Sequence, residues 1–188
     1  MAKRHILALL GAFAISVPAF AADTGGYLVG MFGQTKAKDI DTTGLTNASV
    51  DDTDTGIKLG GGYAFHRNVA VEVAYVDLGK ATASAGGQTV EFKSSGLVVA
   101  ALGMLPVSNQ VTLLGRLGLI DATVKATGPG ASDKSTKVKT TLGIGVSYSF
   151  TPQFAVRGDF DRYSKLGDKN TIGESDVDMI SVGVVYKF

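Results

Sequence analysis

The chain ends in a two-residue rhythm: Ile180, Val182, Val184, Tyr186 and Phe188 fall on every second position up to the last residue. Side chains of an extended strand alternate between its faces, so these five share one face. Ser181, Gly183, Val185 and Lys187 take the other. The rhythm recurs along the chain and predicts eight strands, near residues 25–36, 54–65, 69–80, 89–105, 110–124, 137–150, 154–165 and 177–188. In the second, Ile57, Leu59, Tyr63 and Phe65 oppose Lys58, Gly60, Gly62 and Ala64. In the third, Val69, Val71, Val73 and Tyr75 oppose Ala70, Glu72, Ala74 and Val76. Leu142, Ile144, Val146, Tyr148 and Phe150 oppose Gly143, Gly145, Ser147 and Ser149 in the sixth, and Phe154, Val156 and Phe160 oppose Arg157, Asp159 and Asp161 in the seventh. The first, fourth and fifth are apolar on both faces, so pattern alone leaves their parity open.

The connections alternate as well. Residues 66–68, 106–109 and 151–153 are tight turns, whereas 37–53, 81–88, 125–136 and 166–176 are longer and polar. Strict interleaving of short and long connections fits an all-β fold, an eight-stranded antiparallel up-and-down barrel whose two rims face different surroundings. Two versions compete. In a soluble barrel the large apolar residues point inward. In a transmembrane barrel they point outward, and the small and charged residues line the interior. The second is favoured, because the bulky set overfills an interior of eight strands. Aromatics also gather at both ends of the apolar face: Phe65, Tyr148, Phe150, Phe154, Tyr186 and Phe188 toward the short turns, and Phe32, Tyr75, Phe92 and Phe160 toward the longer connections. Such bands bound the lipid-facing zone of membrane barrels.

The N-terminus reads as an export signal. Lys3 and Arg4 precede an uncharged apolar run from Ile6 to Val17, Pro18 breaks it, and Ala19-Phe20-Ala21 forms a small-x-small cleavage site ahead of Ala22. Residues 1–21 are thus expected to be removed, leaving 22–188 as one outer-membrane barrel domain. Without Lys3 and Arg4 the mature chain carries 16 basic against 17 acidic residues, which gives no reason to expect nucleic acid as a partner. With no cysteine there is no disulfide framework, and ladder bonds closed around a barrel must hold the fold. The 25 glycines suit strands that bend and approach closely.

Residues 60–80, GGGYAFHRNVAVEVAYVDLGK, resemble the second hairpin of the OmpA N-terminal transmembrane barrel. The likeness continues at Gly115-Arg116-Leu117-Gly118 and over Tyr148 to Asp159. It implies an eight-stranded barrel with a charged, mostly closed interior, in a chain that stops at the barrel as the small OmpX-type proteins do. It implies further that Glu72 and Arg157 form an ion pair inside, with Arg116 and Asp159 in the same network. The family's second pair, a strand-four Lys with a strand-six Glu, has no counterpart here: strand six offers Ser147 and strand four Ala101 or Leu102. The resemblance makes Tyr186 and Phe188 a closing-strand signal read by the outer-membrane barrel assembly machinery, and places both termini on the periplasmic side of a Gram-negative outer membrane.

Little else suggests chemistry. His5 goes with the signal and His66 lies in a turn, so a histidine base at the outer rim is missing; no cysteine nucleophile or G-x-S-x-G elbow exists. Asp39, Asp41 and the run Asp51-Asp52-Thr53-Asp54 lack the spacing of a calcium loop, so no metal and no cofactor is expected. Lys125, Lys134, Lys137 and Lys139 flank the third long connection and suit lipopolysaccharide phosphates. The expectation is a non-enzymatic barrel that supports the envelope, sits among outer-membrane lipid and lipopolysaccharide, and displays loops for adhesion to host or cell-surface ligands. The alternative is a narrow pore for small ions or hydrophobic solutes, with inward glycines such as Gly143 and Gly145 leaving water-filled space.

Overall fold

A computed structural model describes residues 24–38, 49–85, 88–128, 131–168 and 173–188. The expected signal, with Ala19, Ala21 and Ala22, lies outside the described residues, as do Asp39 and Asp41. The strands are β1 (Gly25–Lys38), β2 (Ser49–Asp51), β3 (Thr53–His66), β4 (Val69–Ala85), β5 (Gln88–Pro106), β6 (Val111–Gly128), β7 (Ala131–Ser149), β8 (Phe154–Asp168) and β9 (Gly173–Lys187). The short β2 continues the stave of β3 past Asp52 and pairs with the far end of β4. Every ladder is antiparallel, and the β4–β5 and β1–β9 pairings close eight staves into a ring. Closure matters because a backbone donor left facing hydrocarbon has no water to satisfy it.

The faces divide as the alternation demands. Leu59, Val73, Ile144, Val182 and Val184 are exposed on the outer wall, Ile144 to 68%, while their neighbours Lys58, Glu72, Ala74, Ser181 and Val185 are buried inside. The structure fixes the parities that the sequence left open: Tyr27, Val29 and Met31, Val98, Ala100 and Leu102, and Arg116, Ile120 and Ala122 point inward. A continuous outer belt of Leu, Val and Ile is an aggregation surface in water and a matched surface in a bilayer. Toward the short turns it ends in tilted and edge-on ring pairs, with centroids 5.1 Å apart for Tyr63–Phe65, 4.9 Å for Tyr148–Phe150, 5.0 Å for Phe154–Tyr186 and 5.4 Å for Tyr186–Phe188. The Phe188 amide donates to Gly26 O at 3.0 Å, so the last residue is held at the seam where the ring closes.

Two expectations are corrected. Three of the long connections are mostly strand: β4 and β5 run on to Ala85 and Gln88, β6 and β7 to Gly128 and Ala131, and β8 and β9 to Asp168 and Gly173. Apart from the buried Leu166, those stretches carry small or polar residues, so no apolar alternation marks them. Strands of 17 to 19 residues in β4–β7 far exceed the roughly 9–11 that cross a bilayer, so these hairpins project beyond it. Phe92 does not join the outer aromatic band, because its register with Ala126 places it on the inward face, half-buried.

Leu117, exposed in the middle of the belt, tests which solvent the wall meets. Leu117→Arg should cost about 2–4 kcal/mol in urea unfolding from lipid bilayers. A change near zero would mean that water bathes this face.

Candidate functional site

Inside the barrel, Lys58 of β3, Glu72 of β4, Arg116 of β6, and Arg157, Asp159 and Asp161 of β8 all point to the axis and are buried, Asp161 to 0% exposure. β8 supplies three because Arg157, Asp159 and Asp161 occupy alternate positions on one face. Arg157 Nη1 lies 2.8 Å from Glu72 Oε2, and its Nη2 is 3.2 Å from Asp159 Oδ2. Arg116 Nη2 bridges Glu72 Oε1 at 3.2 Å and Asp159 Oδ2 at 2.8 Å, while its Nη1 meets Asp161 Oδ1. Lys58 Nζ sits 2.9 Å from Asp159 Oδ2 and 2.6 Å from Asp161 Oδ2. The Tyr27 hydroxyl donates to Glu72 Oε2 at 3.2 Å, and Arg157 Nη2 reaches the Met31 sulfur at 3.5 Å.

The structure therefore brings Glu72, Arg157, Arg116 and Asp159 into one cluster, and adds Lys58, Asp161 and Tyr27 to it. Three cations face three carboxylates, so the cluster has no net charge. The additions were legible in part: Lys58 and Asp161 share the inward parity of their strands, but only the closed ring shows that positions 101 and 103 residues apart converge. Ser147 is inward and half-buried, Leu102 is inward, and Ala101 faces out, so these positions carry no ion pair.

Three of the four charged strands carry apolar or aromatic inward residues on both sides of their charges. On β4 Glu72 lies between Ala70 and the run Ala74, Val76, Leu78; on β6 Arg116 lies between Leu114 and Ile120; on β8 the three charges lie between Ala155 and Tyr163. Charges taken from water are tolerated only when paired and hydrogen-bonded. Some groups retain spare capacity: Asp159 Oδ1, Ser181 Oγ, Thr141 Oγ1 and the Nε atoms of Arg116 and Arg157 have no protein partner, and such buried atoms commonly hold trapped water.

The inward glycines of β7 make room for carboxylates rather than for a channel. A Cβ on Gly145 would fall 2.3 Å from Asp159 Oδ1, and one on Gly143 2.2 Å from Asp161 Oδ1. The expectation of water-filled space at these two positions is corrected accordingly. Gly103 and Gly115 differ, since a Cβ there would meet nothing within 4 Å. They lie opposite one another in the outer wall, at an open pocket of about 450 Å³ lined by Val69, Ala101 and Leu117 and also by Leu102, Arg116 and Gly143.

Other candidates stay apart. His66 ends β3 at a turn, where its Nδ1 accepts the Asn68 amide at 3.3 Å. Among the described residues no group of His, Cys, Asp and Glu could hold a metal. Lys125 and Lys137 are exposed and Lys139 is half-buried on the projecting hairpin, and the side chain of Lys134 is outside the described set.

Glu72→Gln alone should cost about 3–5 kcal/mol in barrel unfolding, as should Arg157→Gln. The double variant should cost less than their sum by roughly 0.5–3 kcal/mol; additive losses would dissolve the cluster. Gly145→Ala should destabilise by about 1–3 kcal/mol, because the Asp159 carboxylate is held from three sides. Gly115→Ala should change stability by less than about 0.5 kcal/mol. Equal effects at the two glycines would refute the socket reading.

Comparison with known proteins places this geometry. The Outer membrane protein beta-barrel domain family matches residues 6–188. Outer membrane protein A of Shigella flexneri is 29% identical over 97% of this chain and 54% of its own length. Its namesake from Serratia marcescens is 31% identical over 68% of this chain and 37% of its own. The chain thus spans about half or less of the length of these curated relatives. Among solved structures, Neisserial surface protein A superposes with a TM-score of 0.63 at 18% identity, covering 87% of this chain and 97% of that one. The N-terminal barrel domain of Pseudomonas aeruginosa OprF gives 0.58 at 14%, covering 88% and 99%, and Ail of Yersinia pestis 0.55 at 18%, covering 87% and 99%. These last three share the fold.

Proposed function

The chain belongs to the outer membrane protein β-barrel family, and on that premise we propose that it is a non-enzymatic, non-conducting wall protein that supports the envelope of a Gram-negative bacterium and displays its projecting hairpins for surface contact. The observation that carries this reading is the sealed, charge-balanced cluster. An ion crossing the barrel would have to part Glu72 from Arg157 and Lys58 from two carboxylates, and then pass apolar layers on both sides. The alternative of a narrow pore needs an open path through the same residues.

The short turns are taken to face the periplasm, with both termini, and the long hairpins the exterior. Tyr186 and Phe188, held at the closing seam, would then present the signal for the barrel assembly machinery. Contact with lipopolysaccharide is supported by basic groups on the outer wall just beyond the aliphatic belt: Lys38 and Arg162 converge on Asp178, both at 2.7 Å, and on β4 and β5 the half-exposed Lys80 and Lys93 stand 3.2 Å from Glu91 and 3.3 Å from Asp77.

In planar bilayers the purified chain should show no steady openings, while cells lacking it should become more permeable to detergents and bulky dyes. Stable conductance of the unmodified chain would support the pore instead, and unchanged permeability would remove the envelope role.

A further inference from the structure

The outer wall is not built alike all the way round. At the short-turn end aromatic rings cap β3, β7, β8 and β9, as Tyr63–Phe65, Tyr148–Phe150 and Phe154–Tyr186–Phe188. Over β4, β5 and β6 that band is missing, and Val69, Val71, Leu105 and Leu113 stand in its place. Toward the long hairpins the flank stays bare: β6 has no aromatic residue, and Phe92, the one in β5, faces inward. Tyr75 of β4, opposite Leu97, stands at its border. Aromatic rings settle where a wall meets lipid headgroups. A flank without them suits a wall against which a neighbouring protein lies.

The same flank carries a hollow and a knob. One cross-strand row runs Val69↔Gly103↔Gly115↔Ile144 over β4, β5, β6 and β7. Its two middle members have no side chain, and a Cβ at either would meet nothing within 4 Å, so the row is empty at the pocket of about 450 Å³. Other outward glycines are covered from within the chain: Leu59 would lie 3.4 Å from a Cβ on Gly30, and Leu28 3.3 Å from one on Gly61. Ile144, at the end of the row, is 68% exposed, the most of any large apolar residue described. A hollow and a knob on one patch meet the condition for a two-fold interface, in which each copy supplies both halves of the contact.

Area and charge agree with a second copy as the occupant. Ile144 with Leu97, Val99, Leu105, Leu117 and Leu119 offers roughly 700 Å² of apolar surface, close to the about 800 Å² that each partner of a stable complex buries. Asp121, the outward carboxylate of β6, lies about 20 Å along the strand from Gly115, clear of the hollow. Lipid tails are as apolar as leucine, so burial alone favours nothing in a bilayer; close packing does, and a knob in a hollow provides it. We infer that the flank from β4 to β7 is an interface between two copies of this chain within the bilayer, with Ile144 of each seated in the Gly103–Gly115 hollow of the other.

The chain has no cysteine, so Asn109→Cys in the turn between β5 and β6 takes a donor or an acceptor dye at one place. In phosphatidylcholine vesicles, mixed donor and acceptor copies should transfer energy above the level of random neighbours. The transfer should fall on lipid dilution along a monomer–dimer curve. Gly115→Leu fills the hollow and Ile144→Ala removes the knob; each should raise the dimer dissociation constant at least tenfold, while the barrel still migrates as folded on unheated gels. Should Gly115→Leu fail to fold, Ile144→Ala carries the comparison. Gly30→Leu, on β1 across the ring from β6, should leave the constant within twofold. Copies bearing Ile144→Cys and copies bearing Gly103→Cys, mixed and mildly oxidised, should join through a disulfide. Transfer at the random level at every lipid ratio would overturn the proposal and leave the hollow to lipid tails. So would a curve of higher order than a dimer, or an effect of Gly30→Leu equal to that of Ile144→Ala.

Discussion

The charge cluster at the barrel axis is the constraint to which the rest of the interior answers. Lys58, Arg116 and Arg157 balance Glu72, Asp159 and Asp161, and removing any one leaves an uncompensated charge in a site closed to bulk water. Neighbouring choices follow from that balance. Gly143 and Gly145 vacate the volume that two carboxylates occupy, Tyr27 caps a Glu72 oxygen, and Ala70 and Tyr163 are among the residues that close the space on either side. A barrel filled with leucine would need none of these accommodations, but it would have no polar registry inside. The interlocked charges tie four separate strands together, a role in specifying strand positions that buried ionic groups can serve.

The outer wall answers to a different constraint. Inside hydrocarbon every backbone group must be paired, so the ring is closed wherever the aliphatic belt surrounds it. Past the belt water can satisfy a strand edge, and there the ladder between β7 and β8 ends at Thr141↔Tyr163 and the seam opens. Closed ladders in the lipid zone and a parted seam beyond it are two outcomes of one rule, applied in two solvents.

How much of this was legible in the sequence depended on the contrast between the two faces. In β9, β7 and β8 large apolar residues alternate with small or charged ones, and the expected inward sets, Arg157, Asp159 and Asp161 among them, are those buried in the barrel. In β1, β5 and β6 both faces are apolar, Val98 beside Val99 and Leu119 beside Ile120, so the period carries no phase and only the register settles it. Ser132 to Thr136 gave the opposite difficulty: polar on both faces, they read as loop, although cross-strand ladders make them strand. Glu72 and Arg157 could be anticipated from the family likeness, whereas the convergence of Lys58 with Asp159 and Asp161 depends on ring closure, which no local window contains.

The central claim is that the cluster is locked and sealed from bulk water, and side-chain hydrogen exchange of Arg116 and Arg157 in lipid bilayers reads it most directly. Nitrogen-resolved NMR should find their guanidinium protons exchanging orders of magnitude more slowly than those of the exposed Arg67 at the turn rim. Exchange at the rate of Arg67 would show an interior open to water, and the account of a closed wall would fall with it.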